Sequence, residues 1–193
     1  MARGTPAASG VDMRTAALAI GVLLMSSCES SRQIVPLLET LGVPVTASTS
    51  VPLRVVTRST AVTDPLPMRG SAVTYADVES ALGYAIASAT VPWASQRRAD
   101  PSSRDGWQLS VELTSASAQY DGGRVIFSLA VRATLRARAG NVYLAQTQAS
   151  CRQGGIAPPE GGGPVMYKCM MEIGRDLDGW MEGVDLDAVA TAR

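Results

Sequence analysis

The most chemically distinctive side chains in this chain are three cysteines, which occur without a single histidine. Histidine is the commonest general base at neutral pH and the commonest metal ligand. Its absence argues against a serine hydrolase triad and against an ordinary zinc site. A cysteine thiol can instead be acylated, oxidised to a disulfide or bound to a metal. The surroundings of Cys28, Cys151 and Cys169 bear on which of these chemistries applies.

Cys28 ends a run with the pattern of a cleaved secretory segment. The run starts at Met13, carries one positive charge, continues through about ten apolar residues and closes on small residues before the cysteine. It resembles a bacterial lipoprotein signal, with Met25-Ser26-Ser27-Cys28 as the lipobox. The resemblance implies that the Cys28 thiol receives a diacylglyceryl group, that the peptide is cut before it, and that the new amino terminus is acylated.

Two other interpretations of this run leave the cysteine unexplained. A transmembrane anchor needs about 20 apolar residues, roughly twice the length of this run. A buried core helix would be stopped by Ser26, Ser27 and the polar residues 29–32. We therefore predict a signal peptide over residues 1–27, with translation starting at Met13, because the residues before it make an unusually long leader.

Lipidation at Cys28 would fix the protein to a membrane, because one acyl chain binds reversibly whereas two or more bind firmly. Glu29 stands where an aspartate retains lipoproteins of well-studied envelopes in the inner membrane. By that resemblance the sequence favours a periplasm-facing protein of the outer membrane over one of the inner membrane.

Cys151 and Cys169 remain as an even pair in an oxidising compartment, for which a disulfide is the simplest expectation. Two free buried thiols are the main alternative. A metal or redox site is less in keeping with a chain that lacks histidine.

Length and composition indicate one folded domain. Removing the leader and a tether from the 193 residues leaves about 140 to 150, enough for a single core. Aromatic residues make up only 5% of the chain, so Val, Leu and Ala must fill that core. Basic and acidic residues are equal in number, which gives no indication of a nucleic-acid partner. We predict a tether over 28–52, a domain over 53–183 and a flexible tail over 184–193.

The periodicity of apolar residues predicts the elements of that domain. A β-branched strand begins at Leu53, and a helix capped by Thr74 follows. From Trp107 the period changes to two, and three strands follow in a meander whose first turn is residues 120–124. A second helical period starts at Val165. The predicted order is β-α-β-β-β-α, an α+β two-layer sandwich with an antiparallel meander and helices on one face.

Two clusters in the last third of the chain carry weak signals for ligand binding. Gly161-Gly162-Gly163-Pro164 lacks the Lys-Ser/Thr ending of a phosphate loop, which favours an ordinary flexible loop. The acidic residues of the last helical region lack the spacing and central glycine of a calcium loop, which favours a solvated helix face. These residues are Glu172, Asp176, Asp178, Glu182, Asp185 and Asp187.

Two further sets could form binding surfaces. Methionines of the last helix could provide an adaptable apolar surface for lipid or a partner helix, although core packing is the simpler explanation; they are Met166, Met170, Met171 and Met181. Arginines of the second meander strand could meet anionic headgroups or an acidic partner, with a solvated sheet face as the alternative; they are Arg124, Arg132, Arg136 and Arg138.

The layout resembles that of a known protein family. A lipobox and a tether precede a central part that reads WQLSVEL from Trp107, GGRV from Gly122 and VYLAQ from Val142. This order is similar to that of the auxiliary lipoproteins of envelope ABC transporters, which work with lipid-trafficking systems containing MCE-type substrate-binding proteins. The resemblance covers about residues 53–183 and carries no functional residue across.

That resemblance implies a non-catalytic accessory protein without a cofactor, held to the membrane by its lipid and contacting a transporter subunit or an MCE-type protein. The alternative is an outer-membrane lipoprotein that regulates a cell-wall synthase or assists lipopolysaccharide assembly. An envelope hydrolase is the least favoured hypothesis, because the chain offers no catalytic constellation.

Overall fold

The computed structural model describes residues 32–41, 53–60, 62–97 and 106–186. The chain divides into two units, residues 1–31 and 32–193, and the described residues all belong to the second. The strands described are β1 (Gln33–Pro36), β2 (Leu53–Ser59), β3 (Leu66–Arg69), β4 (Val73–Ala76), β5 (Trp107–Asp121), β6 (Arg124–Ala137) and β7 (Val142–Ile156). The α-helices described are α1 (Leu37–Thr40), α2 (Val78–Ala89), α3 (Val91–Gln96) and α4 (Gly163–Glu182).

The seven strands form one mixed sheet in the order β1-β4-β3-β5-β6-β7, and β2 also pairs with β5. Strands β2 and β3 lie one after the other along the same edge of β5, both parallel to it. Strand β1 is parallel to β4. The antiparallel meander predicted from sequence is present as β5-β6-β7. A purely antiparallel sheet is nevertheless the wrong description, because three parallel pairings complete it.

The two long strands β5 and β6 alternate as their apolar period predicts. The inward-facing Leu109, Val111, Val125 and Phe127 are almost completely buried. A bulge between Leu113 and Ser115 shifts the register once. The bulge falls where the pairing with β2 ends and before the pairing with β3 begins, so it lets β5 continue along two successive neighbours.

Helices α2 and α4 pack against the buried side of the sheet and against each other. Their crossing is close because it is built from small residues. A Cβ placed on Gly174 would lie 2.6 Å from Cβ of Ala89 and 3.3 Å from the carbonyl oxygen of Ala85. Only glycine fits at this crossing without displacing the partner helix.

The folded part of the chain begins well before Leu53. Within the segment for which the sequence predicts a tether, Gln33–Thr40 forms β1 and the single turn α1. Val35 is 7% exposed and Leu37 is completely buried. Residues 33–40 are therefore part of the sheet and the core.

The region before α2 also differs from the prediction. Thr74, expected to cap the helix, is buried within β4, and β3 is an additional strand between the first predicted strand and the helix. Asp77 precedes α2 with a φ of 63°, and its backbone N–H donates to Asp64 Oδ1 at 3.1 Å. Four-residue strands show too few alternations to be recognised from sequence.

Candidate functional site

The predicted lipidation site lies outside the described residues. Cys28, Met13 and the lipobox fall in residues 1–31, so lipidation stays a prediction. The position of β1 nevertheless limits the connection to the folded unit. Strand β1 begins at Gln33, five positions after Cys28, and five residues span at most about 18 Å when fully extended.

Strand pairing shows at which end of the sheet β1 begins. Strand β1 is parallel to β4, β4 is antiparallel to β3, and β3 is parallel to β5. Strand β1 therefore runs opposite to β5 and starts at the end where β5 finishes. We call this the turn end, because the β5–β6 turn at residues 121–124 lies there.

The β5–β6 turn has glycine at both central positions, where the backbone is left-handed. Gly122 and Gly123 have φ values of 53° and 83°, as in the two-residue turns that suit the twist of paired strands. The turn closes the ladder at Asp121 and Arg124 and thereby sets which side of the sheet Arg124 occupies.

Arginines dominate the side of the sheet opposite the helices, which we call the outer face. Pairing register and strand alternation place seven arginines on it, all exposed or half-buried: Arg54, Arg58, Arg69, Arg124, Arg132, Arg136 and Arg152. On the described strands, the acidic residues of this face are Glu112 and Asp121. With seven arginines against two carboxylates, this face carries an excess of positive charge, although the chain as a whole is neutral.

The centre of the outer face is partly neutralised by Glu112. Its carboxylate lies 3.6 Å from Arg132 and 3.9 Å from Arg58, and it accepts a hydrogen bond from Thr60 Oγ1 at 2.7 Å. Among the described residues, these two contacts are the ion pairs of the outer face. Arg54, Arg69, Arg124 and Arg152 have no acidic partner there.

A shallow groove of about 390 Å³ lies on the outer face at the turn end. It is lined by Asp121, Arg124, Ile126, Arg152, Gln153 and Gly154. Gly154 lies opposite Ile126 in the ladder and leaves its floor open, while Arg124 and Arg152 supply two cations against one carboxylate. The arrangement can bind an anion but contains no nucleophile with a paired base.

Sequence reasoning found part of this arginine set. Arg124, Arg132 and Arg136 lie on the outer face as the alternation of β6 predicts. Arg138 follows β6, and its backbone N–H donates to the Gly106 carbonyl, so it belongs to a turn. Arg152 was missed, although the alternation of β7 could have indicated it.

The two remaining cysteines form a disulfide, as the sequence predicts. Cys151 and Cys169 are joined with their Cα atoms 5.5 Å apart. The bond links β7 to α4, and both residues are buried. Nearby, Gln153 Nε2 donates to Glu172 Oε2 at 2.6 Å, which adds a second connection between the same strand and helix.

The glycine cluster before α4 has a packing role. Gly162 is buried beneath the Tyr75–Phe127 pair, whose rings meet edge to face at 5.4 Å. The Gly162 N–H donates to Tyr75 Oη at 3.1 Å, and that hydroxyl donates to the Pro159 carbonyl. Burial, chiefly, raises the pKa of Tyr75 to about 12. The cluster is thus part of a packed loop in which the Gly162 amide and the Tyr75 hydroxyl both have hydrogen-bond partners.

The acidic and methionine clusters of α4 are divided between surface and core. Burial raises the pKa of Asp178, although the Trp93 backbone N–H and the charge of Arg97 oppose that rise. In the described part of the chain no group of three or more His, Cys, Asp or Glu side chains could hold a metal. Met166, Met170 and Met181 are fully buried in the core.

No helix within residues 32–41, 53–60, 62–97 and 106–186 combines the length and the apolarity needed to cross a membrane.

Comparison with protein-family models gives no match, and comparison with curated protein sequences gives none either. Among solved structures, the chain is similar to a Xanthomonas campestris protein of family DUF330, with 12% identity, 77% of this chain and 94% of the other covered, and a TM-score of 0.46. It is also similar to a proposed lipoprotein of Caulobacter crescentus. The two are 10% identical, the match covers 66% of this chain and 91% of the other, and the TM-score is 0.38. A hypothetical protein of Chlamydia trachomatis is 13% identical; the match covers 79% of this chain and 97% of the other, with a TM-score of 0.36.

Proposed function

We propose that this chain is a membrane-anchored, non-catalytic accessory lipoprotein of an envelope transport system of the lipid-trafficking ABC/MCE type. It acts through contacts of its domain with a transporter subunit or an MCE-type protein. The observation that carries the proposal is the order of the chain, in which a run with the pattern of a lipoprotein signal ends at Cys28 and the described unit begins at Arg32.

The sheet offers a surface suited to such contacts. Helices α2 and α4 pack against one face, whereas the arginines described on the outer face are exposed or half-buried. Within the described residues β7 pairs with β6 alone, so one edge of this 15-residue strand has backbone groups free to pair with a strand of a partner.

Acyl labelling tests the anchor. We expect wild-type cells to incorporate palmitate into the protein and to retain it in the membrane fraction, and we expect Cys28→Ala to abolish both. A matched control is Ser31→Ala, an equally small change that lies outside the predicted lipobox and leaves all three cysteines in place. Labelling and fractionation that are unchanged in Cys28→Ala would contradict the lipoprotein assignment.

Site-specific crosslinking tests the partner. A photo-reactive residue at Ser150, exposed on β7, is compared with one at Ser80, exposed on α2. We expect adducts from position 150 with a permease, ATPase or MCE-type protein encoded beside this gene. Adducts with a cell-wall synthase or a lipopolysaccharide-assembly protein would instead support the alternative function, and an absence of adducts at position 150 would contradict the proposed contact.

A further inference from the structure

The positive charge of the outer face is least neutralised toward the turn end. Glu112 lies beside Arg58 and Arg132 near the middle of the sheet. Toward the turn end, Arg69, Arg124 and Arg152 face Asp121, the acidic residue of that region among the described strands. The groove between Arg124 and Arg152 therefore provides two guanidinium groups, which bind phosphate oxygens well.

Exposed apolar side chains accompany these arginines. Ile156 is 90% exposed and lies opposite Arg124 in the β6–β7 ladder. Ile34 is 60% exposed and, by the register through β4 and β3, occupies the same face as Arg69. Surfaces that combine basic side chains with protruding apolar ones are typical of proteins that bind at the interface of an anionic bilayer.

The proposed anchor reaches the sheet at this same end. Strand β1 starts at the turn end, and the five positions from Cys28 to Gln33 span at most about 18 Å. A lipid on Cys28 would therefore hold the turn end near the bilayer.

We propose that the turn end of the outer face docks on an anionic phospholipid surface. Arg124 and Arg152 contact headgroup phosphates in the groove, and Ile156 enters the interfacial region. The closeness of the anchor rests on the proposed function, whereas the charge and the exposed isoleucines do not. An acidic protein would be recognised by the arginines but would leave Ile156 and Ile34 unexplained, so the combination favours a bilayer.

Vesicle binding tests this surface without the lipid anchor. The chain from Glu29 to Arg193 contains the whole second unit with its core, so it keeps every described contact. We expect it to bind vesicles of 70% phosphatidylcholine and 30% phosphatidylglycerol in a flotation assay, and to bind pure phosphatidylcholine at least tenfold more weakly. Binding should fall as salt is raised, because exposed charges are screened.

Charge variants locate the contact. Each basic side chain near an anionic surface contributes about fivefold to binding, so Arg124→Gln with Arg152→Gln should weaken binding about 25-fold. The matched control is Lys168→Gln with Arg175→Gln, two exposed cations of α4 on the helical side. Equal losses in the two double variants would show a nonspecific charge effect and overturn the proposal.

An apolar variant separates a bilayer from an acidic protein. Ile156→Ser should weaken binding to anionic vesicles about fivefold, since it removes an apolar side chain from the interface. Val91→Ser, which changes an exposed valine of α3, should leave binding unchanged. If poly-glutamate captured the protein and anionic vesicles did not bind it, the proposed bilayer docking would be overturned and an acidic protein would be the partner of this face.

These outcomes are independent of the anchor. Failure of Cys28→Ala to abolish palmitate labelling would remove the proposed lipoprotein function while leaving vesicle binding by the outer face intact. Failure of vesicle binding, with labelling intact, would remove only the docking surface.

Discussion

Tyr75 shows how one residue can hold three elements together. It belongs to β4, its ring packs on Phe127 of β6, and its hydroxyl joins the loop before α4 through Pro159 and Gly162. The side chain is fully buried, and both hydrogen-bond roles of the hydroxyl are used. Such a residue links the sheet to the loop that leads into the helix layer.

The raised pKa of Tyr75 leads to a prediction at high pH. Its folded pKa of about 12 lies above the ordinary value of 10.0, so the folded state keeps the proton longer than the unfolded state. The associated stability is fully present below pH 10 and is lost as pH rises from 10 through about 12. In Tyr75→Phe that part of the alkaline decline should disappear. Urea unfolding at several pH values measures it, and an unchanged slope would contradict the assignment.

Gly162 is the second residue with a sharp prediction. A Cβ there would overlap the Tyr75 hydroxyl and lie 2.9 Å from Phe127 Cζ, so Gly162→Ala should lower the free energy of unfolding by about 1–3 kcal/mol. The control is Gly179→Ala, where a Cβ would meet nothing within 4 Å and should raise stability by up to about 1 kcal/mol. Chemical denaturation of both variants checks the opposite signs.

At the scale of elements, the disulfide holds the edge strand β7 to α4. Replacing Cys151 and Cys169 together by alanine should lower the free energy of unfolding by about 3 kcal/mol, since the bond closes a loop of similar size to those that contribute this much. The effect is measured by chemical denaturation of the wild type and the double variant with and without reductant. The control is Cys28→Ala, which removes a cysteine but keeps the disulfide. Free thiols titrated at these positions in the oxidised wild-type protein would contradict it.

Strand β1 and helix α1 give a prediction for the segment that sequence analysis assigned to a tether. Leu37 is completely buried, so Leu37→Ala should lower the free energy of unfolding by about 2–5 kcal/mol. Glu39→Ala, an exposed change in the same turn, should alter it by less than about 0.5 kcal/mol. Equal, negligible effects would show that residues 33–40 contribute nothing to the fold.

The elements differ in how far the sequence alone could predict them. Strands β5, β6 and β7 and the helices α2 and α4 are long, and their apolar periods indicate them directly. Strands β1, β3 and β4 have four residues each, and their places depend on pairing with strands far along the chain. Four of the seven outer-face arginines were missed, because Arg54, Arg58, Arg69 and Arg152 become neighbours of the β6 arginines only through strand pairing.

At the scale of the whole described unit, the protein has two unlike sides, a helical side and an arginine-rich sheet face. Its three tryptophans report on this division. Trp93 and Trp107 are buried, and Trp180 lies on α4, away from the outer face. In the acylated full chain reconstituted into anionic vesicles, brominated lipids should leave the fluorescence of these three residues unquenched.

A tryptophan introduced at the docking surface completes that measurement. In the same vesicles Ile156→Trp should add emission that brominated lipids quench, because position 156 enters the interface. Tyr143→Trp, an exposed position on the same strand at the far end of the sheet, should be quenched much less. Equal quenching at the two positions would contradict the proposed orientation.

The weak hold of β1 on the sheet also has a mechanical consequence. A force applied through an anchored Cys28 would reach the domain at β1, which is paired over only four residues. Burial of Val35 and Leu37 resists its release by about 1.5–3 kcal/mol per side chain. Release of β1 would make Leu53 the next point of attachment in the described sheet, so the maximum distance from Cys28 to the sheet would grow from about 18 Å to about 90 Å. Release of the first strand under load would then lengthen the connection between the anchor and the sheet, while β5, β6 and β7 stay folded.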